Sequence, residues 1–461
     1  VGSRVTVILI NHNGAAIEDV ITHSVQAIWQ QTYPDWELIL ADDGSTDGSD
    51  RLLNSFARGD RVRFTRTADA RGVGAARNAA IRLAEGEYLA FLDNDAVPEP
   101  DWLARLVDLM ERDPQIGACA SCVVFYERPD VINSLGSVLN PQAHGTGVHM
   151  HELVGYCRPE GDVMYATGNG MAIRHKVLRE IGLFDEGYRF YGHDDSDIGI
   201  RIRDAGYTIV QQPDAVVRHL HSTSKRDPTM FFWDQRNRIR FALKHYHWRE
   251  LAWFVRYDVL PYLNRHQLPN YVKAWLSAAG NTGALLRHRW LNRRRPPFFP
   301  RFRCYFEGDR RYVKMPDNRA FARQPVVLDA LQVGENEGDY FYSGWYPRER
   351  WQDRWVCWAN PIASLRVVLA QSLTGLHLRV ALHPAVSAAQ VTLAAHEWDG
   401  GALVGKTQFD VSAGSCWTER SLPLELPAGE YRLILQVSDH HLEDGFTPRR
   451  IGLGLNKLRV R

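Results

Sequence analysis

Two pairs of carboxylates follow directly on apolar runs. Asp42 and Asp43 come after Trp36–Ala41, within Asp42-Asp43-Gly44-Ser45-Thr46-Asp47, and Asp93 and Asp95 come after Tyr88–Leu92. Carboxylate oxygens are hard ligands suited to Mg²⁺ or Mn²⁺, ions that keep coordination positions open for a substrate's own oxygens. A D-x-D step just past a strand can therefore hold a divalent ion between carboxylate and phosphate. Asp43, as a plain acceptor, suits a base edge or a ribose hydroxyl. Arg71, Gly72, Gly74, Arg77 and Asn78 precede or start a helix, where backbone N–H groups and a guanidinium fit a diphosphate. A third acidic run, His193-Asp194-Asp195-Ser196-Asp197, leads into another helical pattern.

The elements that must position these groups alternate in type. Val5 to Ile10 reads as a strand ending in the turn-rich Asn11-His12-Asn13-Gly14, and Ile17, Val20, Ile21, Val25 and Ile28 recur at helical spacing. Trp36 to Ala41, Val62 to Thr65 and Glu87 to Leu92 are further strands, with a helix over Val73 to Leu83. Such alternation predicts a mostly parallel sheet with helices on both faces, whose ligands bind beyond the carboxyl ends of the strands. Both acidic pairs then share one edge and one site. The middle of the chain stays mixed, with a strand over Ile116 to Tyr126, Gly168-Asn169-Gly170 before Ile173, a short helix at Val177 to Ile181, and strand character at Ile209 and at Ala215 to His221.

From about residue 230 the chain turns aromatic- and arginine-rich, with Arg287, Arg289, Arg293, Arg294 and Arg295 ahead of Pro296-Pro297. Apolar and cationic groups together suit either contact with anionic headgroups or a helical extension packed on the sheet. The last 130 residues carry short, well-spaced strands such as Leu376 to Leu382 and Tyr431 to Val437, the pattern of an antiparallel sandwich. The expected division is an α/β domain over residues 1–229, a helical bridge over 230–324 and a β-sandwich over 325–461.

Bulk properties exclude several classes. Lys+Arg 55 against Asp+Glu 54 leaves a net charge of +1 over 461 residues, without the basic surplus of a general nucleic-acid binder. Six cysteines do not make a disulfide scaffold, and the one CxxC, Cys119 and Cys122, has no second pair to complete a zinc site. No run of 18 uninterrupted apolar residues predicts a transmembrane helix, and a cytoplasmic location is expected. There is no Gly-Lys-Ser/Thr after a glycine loop and no G-x-G-x-x-G after the first strand, which excludes P-loop and dinucleotide-binding enzymes.

Taken together, six pieces resemble family 2 glycosyltransferases of the GT-A fold, in particular the subgroup that adds sugars such as rhamnose to bacterial surface polysaccharides. They are Val7-Ile8-Leu9-Ile10-Asn11-His12-Asn13, Asp42-Asp43-Gly44-Ser45-Thr46-Asp47, Gly74-Ala75-Ala76-Arg77-Asn78, Phe91-Leu92-Asp93-Asn94-Asp95, Gly182-Leu183-Phe184-Asp185-Glu186 and Asp194-Asp195-Ser196-Asp197-Ile198. The resemblance covers roughly residues 4 to 225. It implies an inverting transfer from a UDP- or dTDP-sugar to a hydroxyl of a growing bacterial surface glycan, and the aromatic and arginine-rich bridge adds the expectation of a lipid-linked oligosaccharide acceptor and peripheral contact with an anionic membrane.

The same resemblance implies roles. Asp43 would bind the base end of the donor, with Asn11 and Asn13 lining that pocket. Arg71, Arg77 and Asn78 would serve the diphosphate. Asp93 would touch the ribose or the metal-bound diphosphate, and Asp95, Asp93 and His219 would hold Mn²⁺ or Mg²⁺. Gly168, Asn169 and Gly170 would form the wall under the transferred sugar. Asp194-Asp195 stands where the family usually has Glu-Asp, which leaves the base between these two, with Asp195 in the family's place for it.

Two other departures are His12, where the family often has tyrosine, and His193, which adds an imidazole able to perturb the base or orient an acceptor. In the sandwich, Trp345, Trp355, Trp358, Trp398 and Trp417 suit either sugar stacking or a buried core. The alternatives for the whole chain are a carbohydrate-binding or assembly protein and a nucleotidyltransferase. The latter lacks its expected Gly- and Arg-rich loop after the first strand.

Overall fold

The computed structural model describes residues 4–157, 159, 161–220, 229–259, 268–280, 282–292, 294–302, 330–332, 341–345, 349–351, 354–382, 386, 388–398, 401–412, 417–438, 441–442, 450–451 and 453–460. The chain forms two compact units, residues 1–150 with 158–311, and residues 151–157 with 312–461.

In the first unit, strands β1 (Val5–Asn11), β2 (Trp36–Asp42), β3 (Val62–Arg66) and β4 (Tyr88–Asp93) alternate with helices α1 (Glu18–Trp29), α2 (Ser49–Phe56) and α3 (Val73–Ile81). There follow β5 (Ala96–Pro98), α4 (Trp102–Arg112), β6 (Ile116–Phe125), β7 (Arg128–Leu135), β8 (Ser137–Leu139), β9 (Gly145–Gly147), β10 (Met171–Arg174), α5 (His175–Ile181), α6 (Asp194–Asp204) and β11 (Thr208–His219). The sheet runs β3-β2-β1-β4-β10-β6-β11-β5, with β7 on β6. Strands β1 to β4 pair in parallel and β10 inserts antiparallel between β4 and β6. This is the expected GT-A arrangement.

Burial explains why β1 and β2 read as continuous apolar runs, since every residue of both is buried. Their side chains alternate between two cores. Val5, Val7 and Leu9 join α1 and α4 on one face, while Ile8 and Ile10 join α3, α5 and α6 on the other. Each such aliphatic side chain contributes about 2 kcal/mol by leaving water.

Helices α7 (Met230–His245), α8 (Trp248–Phe254), α9 (Leu268–Ala278), α10 (Thr282–Leu291) and α11 (Phe298–Arg301) belong to the same unit. Arg236, Arg238 and Arg240 of α7 are buried, an unusual condition for arginine. Of the basic cluster, Arg289 donates to the Leu243 and Tyr246 carbonyls and Arg295 pairs with Asp204 at 2.5 Å. Arg293 lies outside the described residues. No described helix is long and apolar enough to cross a membrane.

The second unit is the expected antiparallel sandwich region. Its main sheet runs Leu403–Ser412, Ala388–Glu397, Gly429–Val437, Arg354–Leu369, Leu453–Val460, Leu373–Leu382 and Thr418–Leu426. Arg354–Leu369 joins the two halves, with Cys357 and Trp358 on Leu453–Val460 and Ile362 to Leu369 on Gly429–Val437. One apolar core takes residues from both halves. The Arg366 and Arg432 guanidinium groups stack on Trp398, 4.1 and 4.7 Å from its ring centroid, so this ring is engaged in packing. The side chains of Trp345, Trp355 and Trp358 lie outside the described residues.

Candidate active site

The parallel register brings the acidic strand ends together. Asn11 pairs with Asp42 across β1 and β2, and Ile10 pairs with Asp93 across β1 and β4. A cavity of about 830 Å³ opens at this edge, lined by Asn13, Asp43, Arg77, Asp93, Asp95, Gly168, Asn169, Asp194, Asp195 and His219. Ten of the expected site residues thus share one cleft.

Asn11, Arg71 and Asn78 do not line it, nor does Gly170. Asn11 is buried beneath, donating from Nδ2 to Asp42, Ser45 and Ser49 and accepting from Asn94. Asn78 ties α3 to the Phe184–Glu186 loop through the Phe184 backbone and Glu186. Arg71 sends its guanidinium to Glu186, while its backbone N–H goes to Asp43. These residues build the walls of the cleft from behind.

Asp43 accepts from Thr67 Oγ1 at 3.0 Å, Arg71 N–H at 3.0 Å and Gly72 N–H at 2.7 Å. Gly72 sits at φ 101°, and a Cβ there would meet Phe190 N at 2.6 Å, so this hairpin of loop tolerates only glycine. On the opposite wall, Asp95 Oδ1 lies 3.2 Å from His219 Nε2, and Asn169 Nδ2 lies 3.2 Å from His219 Nδ1. Asn169 is 8% exposed, and its Oδ1 finds no hydrogen-bond partner among the described residues. A buried acceptor left in this state costs free energy unless a ligand satisfies it.

These groups fit a hard divalent ion. Asp95, His219 and the spare Asn169 oxygen supply oxygen and imidazole donors, with Asp93 adjacent. Among the described residues no group of three or more His, Cys, Asp or Glu side chains is placed to cage a metal ion by itself. A site that takes phosphate oxygens for its remaining positions needs no such cage.

Arg77 occupies the centre. It is buried, reaching Asp194 Oδ2 at 2.5 Å and Asp93 Oδ1 at 3.2 Å. Its guanidinium passes so close to Gly168 that a Cβ there would lie 1.9 Å from Nη2. Gly168 is therefore a space requirement of Arg77. Removal from water raises the Asp93 carboxyl, opposed by Arg77 and reinforced by Asp95.

Asp194 and Asp195 open α6. Burial, and after it the charge of Asp194, push the Asp195 carboxyl up to about 7, where a general base works best at neutral pH. His193 does not act as a titrating neighbour. Burial, followed by Arg238 and His144, lowers its imidazole to about 3, so it stays neutral and packs on Phe241 at 5.5 Å.

Sequence reasoning missed what holds this end. Asp197 of α6 is fully buried, 2.7 Å from Lys244 and 2.6 Å from His245 of α7. Burial opposes its ionisation, but Lys244, His245 and Arg201 outweigh it and hold the carboxyl well below the usual range. Arg240 and Lys244 also bind Asp185, and Asn237 donates to the Arg189 and Tyr191 carbonyls. Helix α7 thereby clamps the whole loop leading to Asp194. Cavity residues Asn133, Ser134, Thr146 and Thr167 around β7 to β9, and Asp234 on α7, also went unread. Their only sequence signal is polarity within otherwise apolar or aromatic stretches.

Residues 6–182 match the model of "Glycosyl transferase family 2". The chain is 26% identical over 238 residues to "Uncharacterized glycosyltransferase YfnE" of Bacillus subtilis (strain 168), an alignment covering 41% of this chain and 58% of that one. It is 31% identical over 105 residues to "UDP-Glc:alpha-D-GlcNAc-diphosphoundecaprenol beta-1,3-glucosyltransferase WfgD" of Escherichia coli, covering 23% and 38%. The chain thus spans less than two thirds of the length of these relatives. Among solved structures, "GalNAc-T7 with UDP, GalNAc and Mn2+" aligns over 80% of this chain and 70% of that one, at 14% identity and a TM-score of 0.45. The segment that matches this family model carries the acidic strand ends Asp43, Asp93 and Asp95 and the arginine between them, Arg77.

Proposed function

We propose that the protein is an inverting glycosyltransferase that moves a sugar from a UDP- or dTDP-sugar to a hydroxyl of a growing bacterial surface glycan. The observation that carries this reading is the single cleft joining Asp43, the Asp93/Asp95/His219 wall and Asp195. Asp43 takes the base end of the donor on its remaining lone pair. Arg77 and the N-terminus of α3 face the diphosphate. Asp95, Asp93 and His219, with Asn169 Oδ1 beside them, would hold a divalent cation, which when bound neutralises charge on the leaving nucleoside diphosphate.

Asp195 removes the proton of the acceptor hydroxyl as that oxygen attacks the anomeric carbon from the face opposite the nucleotide. Asp194 is engaged by Arg77, and we assign the base to Asp195 for that reason. Arg77 also links the two ends, holding Asp93 and Asp194 at once. The acceptor is a glycan or lipid-linked oligosaccharide, which puts the enzyme at the inner face of the cytoplasmic membrane. WfgD, by its name, acts on a diphosphoundecaprenol-linked sugar. We assign the second unit an assembly role, since two guanidinium groups already cover Trp398.

The test is donor hydrolysis with a panel of UDP- and dTDP-sugars in the presence of Mn²⁺. Release of nucleoside diphosphate by the wild type and its loss in Asp195→Asn, with nucleotide still bound, are expected. Hydrolysis at equal rates in both proteins would remove Asp195 from the base position.

A further inference from the structure

Residues 259–306 carry nine Lys and Arg and no Asp or Glu, in a chain whose net charge is only +1. Two of the helices in this stretch, α9 and α10, both pack on α7. α9 buries Tyr271, Ala274 and Ala278, and α10 buries Leu285 and sends Arg289 to the carbonyls at the end of α7. At 100° per residue, Val272, Lys273 and Leu276 then fall on the far side of α9, and Leu286, Arg287, Trp290 and Leu291 on the far side of α10. Leu276 is 72% exposed, Trp290 62%, and Leu286 and Leu291 60% each.

We propose that these outward faces of α9 and α10 seat the protein on an anionic lipid surface. Large aliphatic side chains and a tryptophan enter the headgroup boundary, while Lys273, Arg287 and Arg294, all exposed, meet lipid phosphates. Charge complementarity selects this occupant. Exposed cations in a stretch of chain that holds no acidic residue repel a second copy of that stretch, and the apolar side chains between them have no use on a nucleic acid.

The seat also reaches the active site. Arg236 bonds the Gly187 and Ser277 carbonyls, and Arg240 bonds Asp185 and the Gly280 carbonyl. The end of α9 and the loop before Asp194 are thus held by the same two side chains of α7. The proposal deepens the reading of the acceptor as lipid-linked and rests on it only for its biological purpose, so its test uses no turnover.

The full chain is cosedimented at low salt with phosphatidylcholine vesicles, with and without phosphatidylglycerol. Binding only to the anionic vesicles, weakened by added salt, is expected. The double variant Leu276→Glu/Trp290→Glu should lower partitioning about tenfold or more, and Lys273→Glu/Arg287→Glu should abolish the preference for anionic lipid. Unfolding midpoints and UDP titration, unchanged in both variants, show that the fold and the cleft are intact. Three results would overturn the proposal: no binding by the wild type at low salt, equal binding by the variants, or a concentration-dependent dimer lost in Leu276→Glu/Trp290→Glu without vesicle binding.

Discussion

The two ends of the cleft are held by different physical means. At the end proposed for the nucleotide, Asp43, Asp93 and Asp95 sit on or just past strand ends, and their positions follow from backbone register and from loops closed by nearby backbone N–H groups. At the end proposed for the base, Asp194 and Asp195 sit on a helix whose approach loop is tied down by side chains arriving from α7, some fifty residues later. The first end is a property of the sheet. The second is a property of buried ion pairs, which contribute through geometry and are costly to break singly.

The largest effect that separates the two ends is chemical. With Asp195 as the proposed base, Asp195→Asn should lower turnover by about 10²–10⁴-fold while leaving nucleotide affinity unchanged, since a general base acts only on the acceptor proton. Steady-state rates and calorimetric titration of the same preparation check this. A parallel loss of nucleotide binding would erase the distinction between the ends.

Next comes stability. Lys244→Met leaves Asp197 and Asp185 buried with fewer cations and should cost about 3–5 kcal/mol in urea unfolding. That contribution is present above the usual carboxylate range, because the Asp197 pKa is depressed, and it is lost only as pH falls well below 3.8. The nucleotide-end counterpart, Arg66→Ala, removes a half-exposed partner of Asp42 and should cost about 0.5–1 kcal/mol. Equal costs for the two substitutions would contradict the proposed difference in support.

A smaller effect lies in pH. A base whose carboxyl is raised to about 7 must be ionised to act, so turnover should fall about tenfold per unit as pH drops below that value. Nucleotide affinity should not follow the same profile.

This contrast also explains what the sequence made legible. Apolar runs ending in Asp42, Asp43, Asp93 and Asp95 state their own position, because a parallel sheet puts all its carboxyl ends on one side. The motif order placed Asp194 and Asp195 correctly in the cleft as well. Nothing local marks Lys244 or Arg240 as buried, since their partners Asp197 and Asp185 are distant in the chain. Cations in an aromatic helix read equally well as surface groups. Nothing local marks the His193 imidazole as held neutral either, since its surroundings include the charge of Arg238 and the ring of Phe241, both on α7. Asn11 and Asn78 carry the right motif but spend every side-chain bond on neighbouring loops, and only coordinates distinguish lining a cleft from supporting it.

The most direct test of the central claim is calorimetric titration of UDP and dTDP, each with and without Mn²⁺, against the wild type and Asp95→Ala. Binding of one nucleotide, strengthened by the metal in the wild type and no longer strengthened in Asp95→Ala, is the predicted result. Absence of binding by either nucleotide under every condition would contradict the assignment of this cleft to a nucleotide-sugar donor.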